Sequence, residues 1–578
     1  MTRGSSWRAA LAICACLAVA SACSSARRSE PATALSTPRY LDVTAAAGLT
    51  AVQGARNSGA RCLLSPPALE RRFAHVTVAA TANYGKEQCI PERMSGGAAA
   101  GDYDGDGWTD LYVTRLDGPG ILYHNDHGHF RDVTASAGLD MLQEPSNGAV
   151  WVDVDRDGRL DLFVTTLASH RFFLFHNEGN GSFAEQGVAR GVALADGSVH
   201  VGFSANVGDV NLDGWPDLVT SEWRPSEIGA DVATSHNRLL LNRGARDPGV
   251  FDDVTRRVGV QPAHPAIPYW GFAADIVDLD GDGIPDLVMA NDFGTSRLFW
   301  GTKAGSFVDG TRAAGLGTDE NGMGLTVGDY DGDGRLDVFI SSIFDTSSAC
   351  RTGACGHGIT GNRLFHNDGH RHFSDVTTAA GVRDAGWGWG SAWLDATNSG
   401  RLDLVMTSGV DFPWEPSTRK YVPGPTTFFQ NAGNGTFTRI GARATGLTTT
   451  GPGKGLLVFD YDRDGREDVL IVRDGKSPVL YRNVTPHSGA WLNVHVVGRH
   501  SGPQGLGAIV TAVVGRVEQV RVVDSTTHFL GQSPSDPHFG FGARTGEAVE
   551  VRVRWPTTGR VSVVRTNALD RTLTVVEP

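Results

Sequence analysis

The chain has 578 residues, more than one hydrophobic core ordinarily organises, so several domains or a repeat architecture are expected. Its formal net charge of −13 excludes a nucleic-acid binder, which needs basic patches to neutralise phosphate. Glycine is abundant at 74 residues and charged residues make up 20 %, a balance that suits a turn-rich all-β protein.

Residues 1–22 read as an export signal. Arg3 and Arg8 supply the positive start, and Leu11–Ala20 is an apolar stretch too short to span a bilayer. The small residues Ala20, Ser21 and Ala22 then precede Cys23. That order resembles a bacterial lipoprotein signal, with Cys23 as the lipidated first residue, although Ala20 stands where Leu is commoner. The alternative is ordinary cleavage nearby and a soluble product. Either way the protein is exported, as a cell-envelope lipoprotein or in secreted form, and meets a membrane only through a lipid anchor. Residues 23–38 form a Ser/Ala/Arg/Pro tether without periodicity.

Cysteine usage agrees with export. Cys62, Cys89, Cys350 and Cys355 are left in the mature chain, and an even number in an oxidising compartment suggests two disulfides. Cys350 pairs with Cys355 across a small loop, and Cys62 with Cys89. A metal site is the competing reading, but the 350–355 spacing is not that of a zinc knuckle and no His pair stands beside it.

Residues 39–485 repeat. The phrase D-x-D-x-D-G-x-x-D, allowing substitutions, begins at Asp102, Asp153, Asp209, Asp278, Asp329, Asp395 and Asp460. Each copy leads into a short aliphatic strand such as Leu111-Tyr112-Val113. A second phrase follows, an apolar strand ending in Asn, a Gly turn and Phe, as in Leu122 to Phe130. A third, Phe-x-Asp-Val-Thr, closes the unit at Phe130, Phe251 and Phe373. About four strands per unit make a propeller blade, so a seven-bladed β-propeller is expected. The seventh unit ends at Asn483 without its closing phrase, and that phrase stands instead at Tyr40–Leu49. A ring whose last blade is completed by the N-terminal strand accounts for both facts and removes the exposed sheet edges.

The Asp phrases read as cation loops. Carboxylates at positions 1, 3, 5 and 9 converge only if the chain winds tightly, and the Gly at position 6 permits the left-handed turn. The position-7 carbonyl adds an oxygen, and hard oxygen donors at this density suit Ca²⁺. Position 12 lies in a strand and is not Glu, which excludes an EF-hand. The expected ligands in the first copy are Asp102, Asp104, Asp106, Trp108 and Asp110, and in the second Asp153, Asp155, Asp157, Arg159 and Asp161. The third uses Asp209, Asn211, Asp213, Trp215 and Asp217, and the fourth Asp278, Asp280, Asp282, Ile284 and Asp286. The fifth uses Asp329, Asp331, Asp333, Arg335 and Asp337, and the seventh Asp460, Asp462, Asp464, Arg466 and Asp468. The sixth keeps only Asp395 and Asp403, with Thr397 and Ser399 between, and is expected to bind weakly or not at all. About six structural Ca²⁺ ions follow.

These phrases closely resemble the FG-GAP/VCBS repeats of integrin α-chains and bacterial surface proteins, with Gly202-Phe203 and Gly271-Phe272 as the FG element. The Phe-x-Asp-Val-Thr-x-x-Ala-Gly-Leu phrase is similar to that of the cartilage acidic protein-like family, which carries a C-terminal ASPIC/UnbV domain. Residues 486–578 resemble that domain through Gly505–Ala508, His538–Gly542 and Trp555–Gly559, on alternating strands such as Trp491–Val497. Asp524–Pro537 departs from the expected pattern. The resemblance implies calcium binding and an extracellular place, and carries no defined activity.

No nucleophile elbow, P-loop or zinc-protease motif is present. The groups His124, His127, His129 and His366, His370, His372 read as turn residues of the repeat rather than as metal ligands. The insertions 223–237, 342–361 and 408–427 are candidates for specificity; Trp387, Trp389 and Trp393 read as packing between blades. The expected function is therefore a non-enzymatic surface binding or adhesion module for an unidentified extracellular protein or glycan. The alternatives are an extracellular polysaccharide hydrolase or lyase, or a structural role in envelope assembly.

Overall fold

The computed structural model describes residues 36–578 other than 51, 53–89, 196, 198, 224–236, 261–268, 348–357, 413–415, 526–527 and 545. The leader, Cys23, most of the tether, the four remaining cysteines, Trp414 and parts of all three insertions lie outside them. Residues 36–578 form one compact unit.

Among the described residues, seven four-stranded antiparallel meanders make the ring of an all-β propeller, one meander per Asp loop. Blade 1 is Ala98–Gly101, Asp110–Val113, Ile121–Asp126 and His129–Asp132. Blade 5 repeats it as Leu325–Gly328, Asp337–Ile340, Arg363–Gly369 and His372–Asp375. The first two strands of each blade are almost wholly apolar and buried, for instance Leu111, Tyr112 and Val113 at 0 % exposure. They are covered on both faces by neighbouring blades, which is why they read as continuous hydrophobic runs. Blade 2 (Ser146–Val152 through Phe183–Glu185) and blade 3 (His200–Gly208 through Phe251–Asp253) are also joined edge to edge, His200 and Val201 pairing with Ser169 and Leu167.

Blade 7 has Gly453–Phe459, Asp468–Arg473 and Val479–Asn483, and its outer strand is Tyr40–Asp42. Tyr40 pairs with Asn483 and Asp42 with Tyr481. The Asp-x-Thr of the closing phrase has a physical role here. Asp42 Oδ1 accepts hydrogen bonds from the Thr44 amide and hydroxyl at 3.0 and 2.6 Å, and Thr44 Oγ1 accepts the Leu480 amide at 3.0 Å. The same bracket recurs through Asp132 and Thr134, Asp253 and Thr255, and Asp309 and Thr311.

In six of the seven blades an Asn at or near the end of the third strand clips that blade to the preceding one. Asn177 Nδ2 donates to the Tyr103 carbonyl of blade 1 at 2.8 Å, and Asn125 Nδ2 donates to the Tyr461 carbonyl of blade 7 at 2.9 Å. Asn242, Asn367, Asn431 and Asn483 do the same to Val154, Leu279, Tyr330 and Ala396. Blade 4 has Gly301 at this place and lacks the clip.

Residues beyond 486 build two further sheets. One orders His538–Gly542, Ala490–Val497 and Arg571–Val576; the other orders Val517–Val522, Ile509–Val514, Val549–Arg554 and Val561–Thr566. Leu492, Val510, Val551 and Trp555 are at their shared core. The stretch that departs from pattern, Asp524–Pro537, enters the propeller channel. Gly531–Gln532 pairs in parallel with Ala98–Ala99, and Phe529 packs on Phe203, Phe272 and Trp389 with ring centroids 5.1–6.0 Å apart. The innermost strands find partners for their free edges here. The Val207, Val458 and Trp151 amides donate to Ser525 Oγ, Ser533 Oγ and Gln532 Oε1.

Candidate metal centres

Each Asp loop joins the first two strands of a blade, so all seven sit on one face of the ring. In blade 1 the Asp102 carboxylate is wrapped by backbone amides: Gly105 donates to Oδ1 and Gly107 to Oδ2, both at 2.8 Å. Gly107 has φ +87°, a conformation that needs no Cβ. Asp106 Oδ1 accepts the Trp108 amide at 2.8 Å. Position 1 is wrapped in the same way in the other loops, Asp153 by Gly158, Asp209 by Gly214 and Asp460 by Gly465.

The position-9 carboxylate has a second task. Asp110 accepts the Asn125 amide on Oδ1 at 2.7 Å and the Tyr103 amide on Oδ2 at 3.2 Å, tying the loop to the third strand. Asp161, Asp217, Asp286, Asp337 and Asp468 do likewise. Asp403 keeps this bond to Asn431 at 2.8 Å even though its loop has lost two other carboxylates, which explains why position 9 persists in the sixth copy.

The donor sets converge as a cation site requires. One ligand atom each from Asp102, Asp104 and Asp106 lies within 4.8 Å of the others, as for Asp153, Asp155 and Asp161. Burial of so many carboxylates is costly without a counter-charge. Burial, with neighbouring carboxylates adding to it, pushes Asp110 and Asp286 up to about 8, and Asp153, Asp209, Asp329 and Asp460 up to about 7. Asp155 Oδ1 and Asp462 Oδ1 are buried oxygens with no hydrogen-bond partner. The residues therefore fit a divalent cation.

Charged side chains supplement these sets. The position-7 residues Arg159, Arg335 and Arg466 do more than offer a carbonyl. Their guanidinium groups reach Asp157, Asp333 and Asp464, and each Nε donates to the carbonyl of the clip Asn. Arg371 meets Asp280, and Arg482 meets Asp462 at 2.6 Å. His124 and His366 are not turn residues. They lie within third strands, and each Nδ1 is 3.2–3.5 Å from two loop carboxylates. Sequence spacing could not show this, because strand and loop are brought together only by the meander. His127 and His370 do lie at the tip of the turn, whereas His129 and His372 open the fourth strands.

Loop six is held differently. Asn398 Nδ2 donates to the Gly465 and Gly489 carbonyls at 2.8 and 3.2 Å, and its Oδ1 lies 2.8 Å from His538 Nε2. The Asn398 carbonyl accepts the Gly542 amide at 2.7 Å. The approach is close enough that a Cβ on Gly540 would stand 2.1 Å from Asp395 Oδ2. C-terminal residues thus close over the loop that has lost two of its carboxylates. They also reach other loops, Thr557 donating to Asp209 Oδ2 at 3.2 Å and Arg554 Nη2 meeting Asp278 Oδ2 at 3.0 Å.

A family model described as FG-GAP-like repeat matches residues 102–164, 153–220 and 278–340, and one described as ASPIC and UnbV matches 498–578. The chain carries FG-GAP-like repeats and an ASPIC/UnbV domain. Human cartilage acidic protein 1 is 24 % identical over 520 residues, spanning 82 % of this chain and 70 % of that protein. Integrin alpha pat-2 of Caenorhabditis briggsae is 27 % identical over 236 residues, 36 % of this chain and 18 % of that protein. Among solved structures, the BP39L lectin of Burkholderia pseudomallei is 11 % identical with a TM-score of 0.41, covering 68 % of this chain and 96 % of that one. The matched FG-GAP-like segments contain the first five Asp loops, and the matched ASPIC/UnbV region contains Thr557, Arg554 and His538, which reach loops three, four and six.

Proposed function

We propose that this is an exported, adhesion-type binding module that engages a protein or glycan through the propeller face opposite the Asp loops. About six divalent cations, Ca²⁺ in the all-oxygen loops, brace the ring and perform no chemistry. The observation that carries this reading is that the chain's own C-terminal region covers the Asp-loop face and fills the channel. The opposite face holds the described loops between second and third strands. Phe293 lies there, 39 % exposed, at φ +55°, with Trp270 edge-on at 4.9 Å. A bulky residue held in the left-handed region costs about 1–2 kcal/mol, and such strain is retained where a surface has a use. The likeness to an integrin alpha chain supports an adhesion-type role.

The test is binding of the full chain, with Ca²⁺, to arrayed glycans and extracellular proteins, alongside Phe293→Gly. That variant should melt at the same temperature or higher and lose binding. Wild-type binding by Phe293→Gly and by variants of the neighbouring loops would move the working face elsewhere. Calcium-dependent turnover of a polysaccharide would replace the reading with a hydrolase or lyase, and failure to bind any ligand would favour envelope assembly. Export through a lipid anchor is tested by palmitate labelling, expected in the wild type and absent in Cys23→Ala.

A further inference from the structure

Two of the seven blades set an imidazole against their Asp loop in the same way. In blade 1, His124 Nδ1 is 3.2 Å from Asp104 Oδ2 and 3.4 Å from Asp110 Oδ1, and its Nε2 is 3.9 Å from Asp106 Oδ2. In blade 5, His366 Nδ1 is 3.5 Å from Asp331 Oδ2 and 3.2 Å from Asp337 Oδ1, and its Nε2 is 3.9 Å from Asp333 Oδ2. Each Nδ1 is buried between two carboxylate oxygens; that of His124 has no hydrogen-bond partner, and that of His366 faces Asp337 Oδ1 at 3.2 Å.

The rings are held in place by matched aromatic supports. Tyr103 meets His124 edge-on at 6.5 Å and 84°, and Tyr330 meets His366 at 6.4 Å and 87°. Those tyrosines stack on Trp151 and Trp393, at 6.0 and 6.1 Å. Blade 2 also sets an imidazole against its loop, His176 Nδ1 lying 2.9 Å from Asp161 Oδ1 and 3.6 Å from Asp155 Oδ2, but there the nearer contact is an aligned hydrogen bond. The equivalent places in blades 3, 4, 6 and 7 hold Leu241, Trp300, Gln430 and Arg482.

Donor atoms 3.2–3.5 Å apart have the spacing of adjacent ligands around an octahedral ion with bonds of about 2.3–2.5 Å, so the geometry admits a divalent cation and the ligand type decides which. An imidazole nitrogen in such a set shifts preference away from Ca²⁺ toward divalent transition ions, which accept both nitrogen and carboxylate oxygen. We infer that the loops of blades 1 and 5 hold a divalent transition ion ligated by His124 and His366. The inference rests on the reading that these loops bind cations at all.

The full chain is stripped with chelator, saturated with Ca²⁺ and titrated with Mn²⁺ as the probe. Two Mn²⁺ per chain should displace Ca²⁺, and pulsed electron paramagnetic resonance should show coupling to imidazole nitrogen. The double variant His124→Gln, His366→Gln, which installs the residue native to blade 6, should lose the nitrogen coupling and bind Mn²⁺ at least about tenfold more weakly. It should keep the melting-temperature rise with Ca²⁺, which shows that it is folded. His176→Gln should leave the Mn²⁺ signal intact. Mn²⁺ bound without nitrogen coupling, or equally well by wild type and double variant, overturns the inference while leaving the calcium loops standing. Absence of binding by any divalent cation overturns both.

Discussion

Asn431 belongs to the blade whose loop has lost two of its carboxylates, yet it still donates to Tyr330 and Leu402 carbonyls at 2.8 and 2.9 Å. Its work does not depend on a cation in its own loop, but Tyr330 stands between Asp329 and Asp331, so the clip also anchors loop five. Asn431→Ala leaves buried carbonyls unpaired and should cost about 1–3 kcal/mol, measured by denaturant titration. The acidic residues respond to pH instead. Without metal, Asp110 and Asp286 are pushed up to about 8 by burial, and Asp153 and Asp460 up to about 7. An Asp with a raised folded-state value binds more protons folded than unfolded, so its contribution to stability is present at low pH and lost as pH rises through that window. The chelated protein should therefore melt lower at pH 8 than at pH 5. Added Ca²⁺ should flatten or reverse the trend, because the bound cation favours the ionised carboxylates.

Among the elements, the channel segment and the Asp loops divide the work of bracing the ring. Phe529 is fully buried among Phe203, Phe272 and Trp389. Phe529→Ala should cost about 3 kcal/mol or more, read as a lowered denaturation midpoint. On the loops, chelation should lower the melting temperature, and Asp209→Ala should shrink the calcium-dependent part of the shift. Asp395→Asn should leave that part unchanged, since loop six is held by Asn398 and its C-terminal contacts. The Asp loops were legible from spacing alone, because all their ligands fall within nine residues and the Gly at position 6 marks the turn. The clip role of Asn125 and the approach of His124 were not legible. Both depend on strands adjacent only after the meander forms, and in sequence they resemble ordinary turn residues.

At the scale of the whole molecule, the ring is shut by a few residues. Tyr40–Asp42 covers the last strand of blade 7, and Thr44 brackets Leu480 as Thr134 brackets Leu122. Removing residues 36–49 bares the outer edge of Val479–Asn483 and its row of unpaired amides. The truncated chain should melt less cooperatively and self-associate on size-exclusion chromatography. The number of blades, the position of every Asp loop and the thinned donor set of the sixth were determined by the sequence itself, since a repeat states its period locally and each blade is built from neighbours in the chain. Which face is covered was decided only by tertiary structure. Ser525 meets Val207 across 318 residues and Gln532 meets Trp151 across 381, and no local pattern in Asp524–Pro537 encodes those partners. They arise because the inner strands of a closed ring leave edges that only a distant segment can fill.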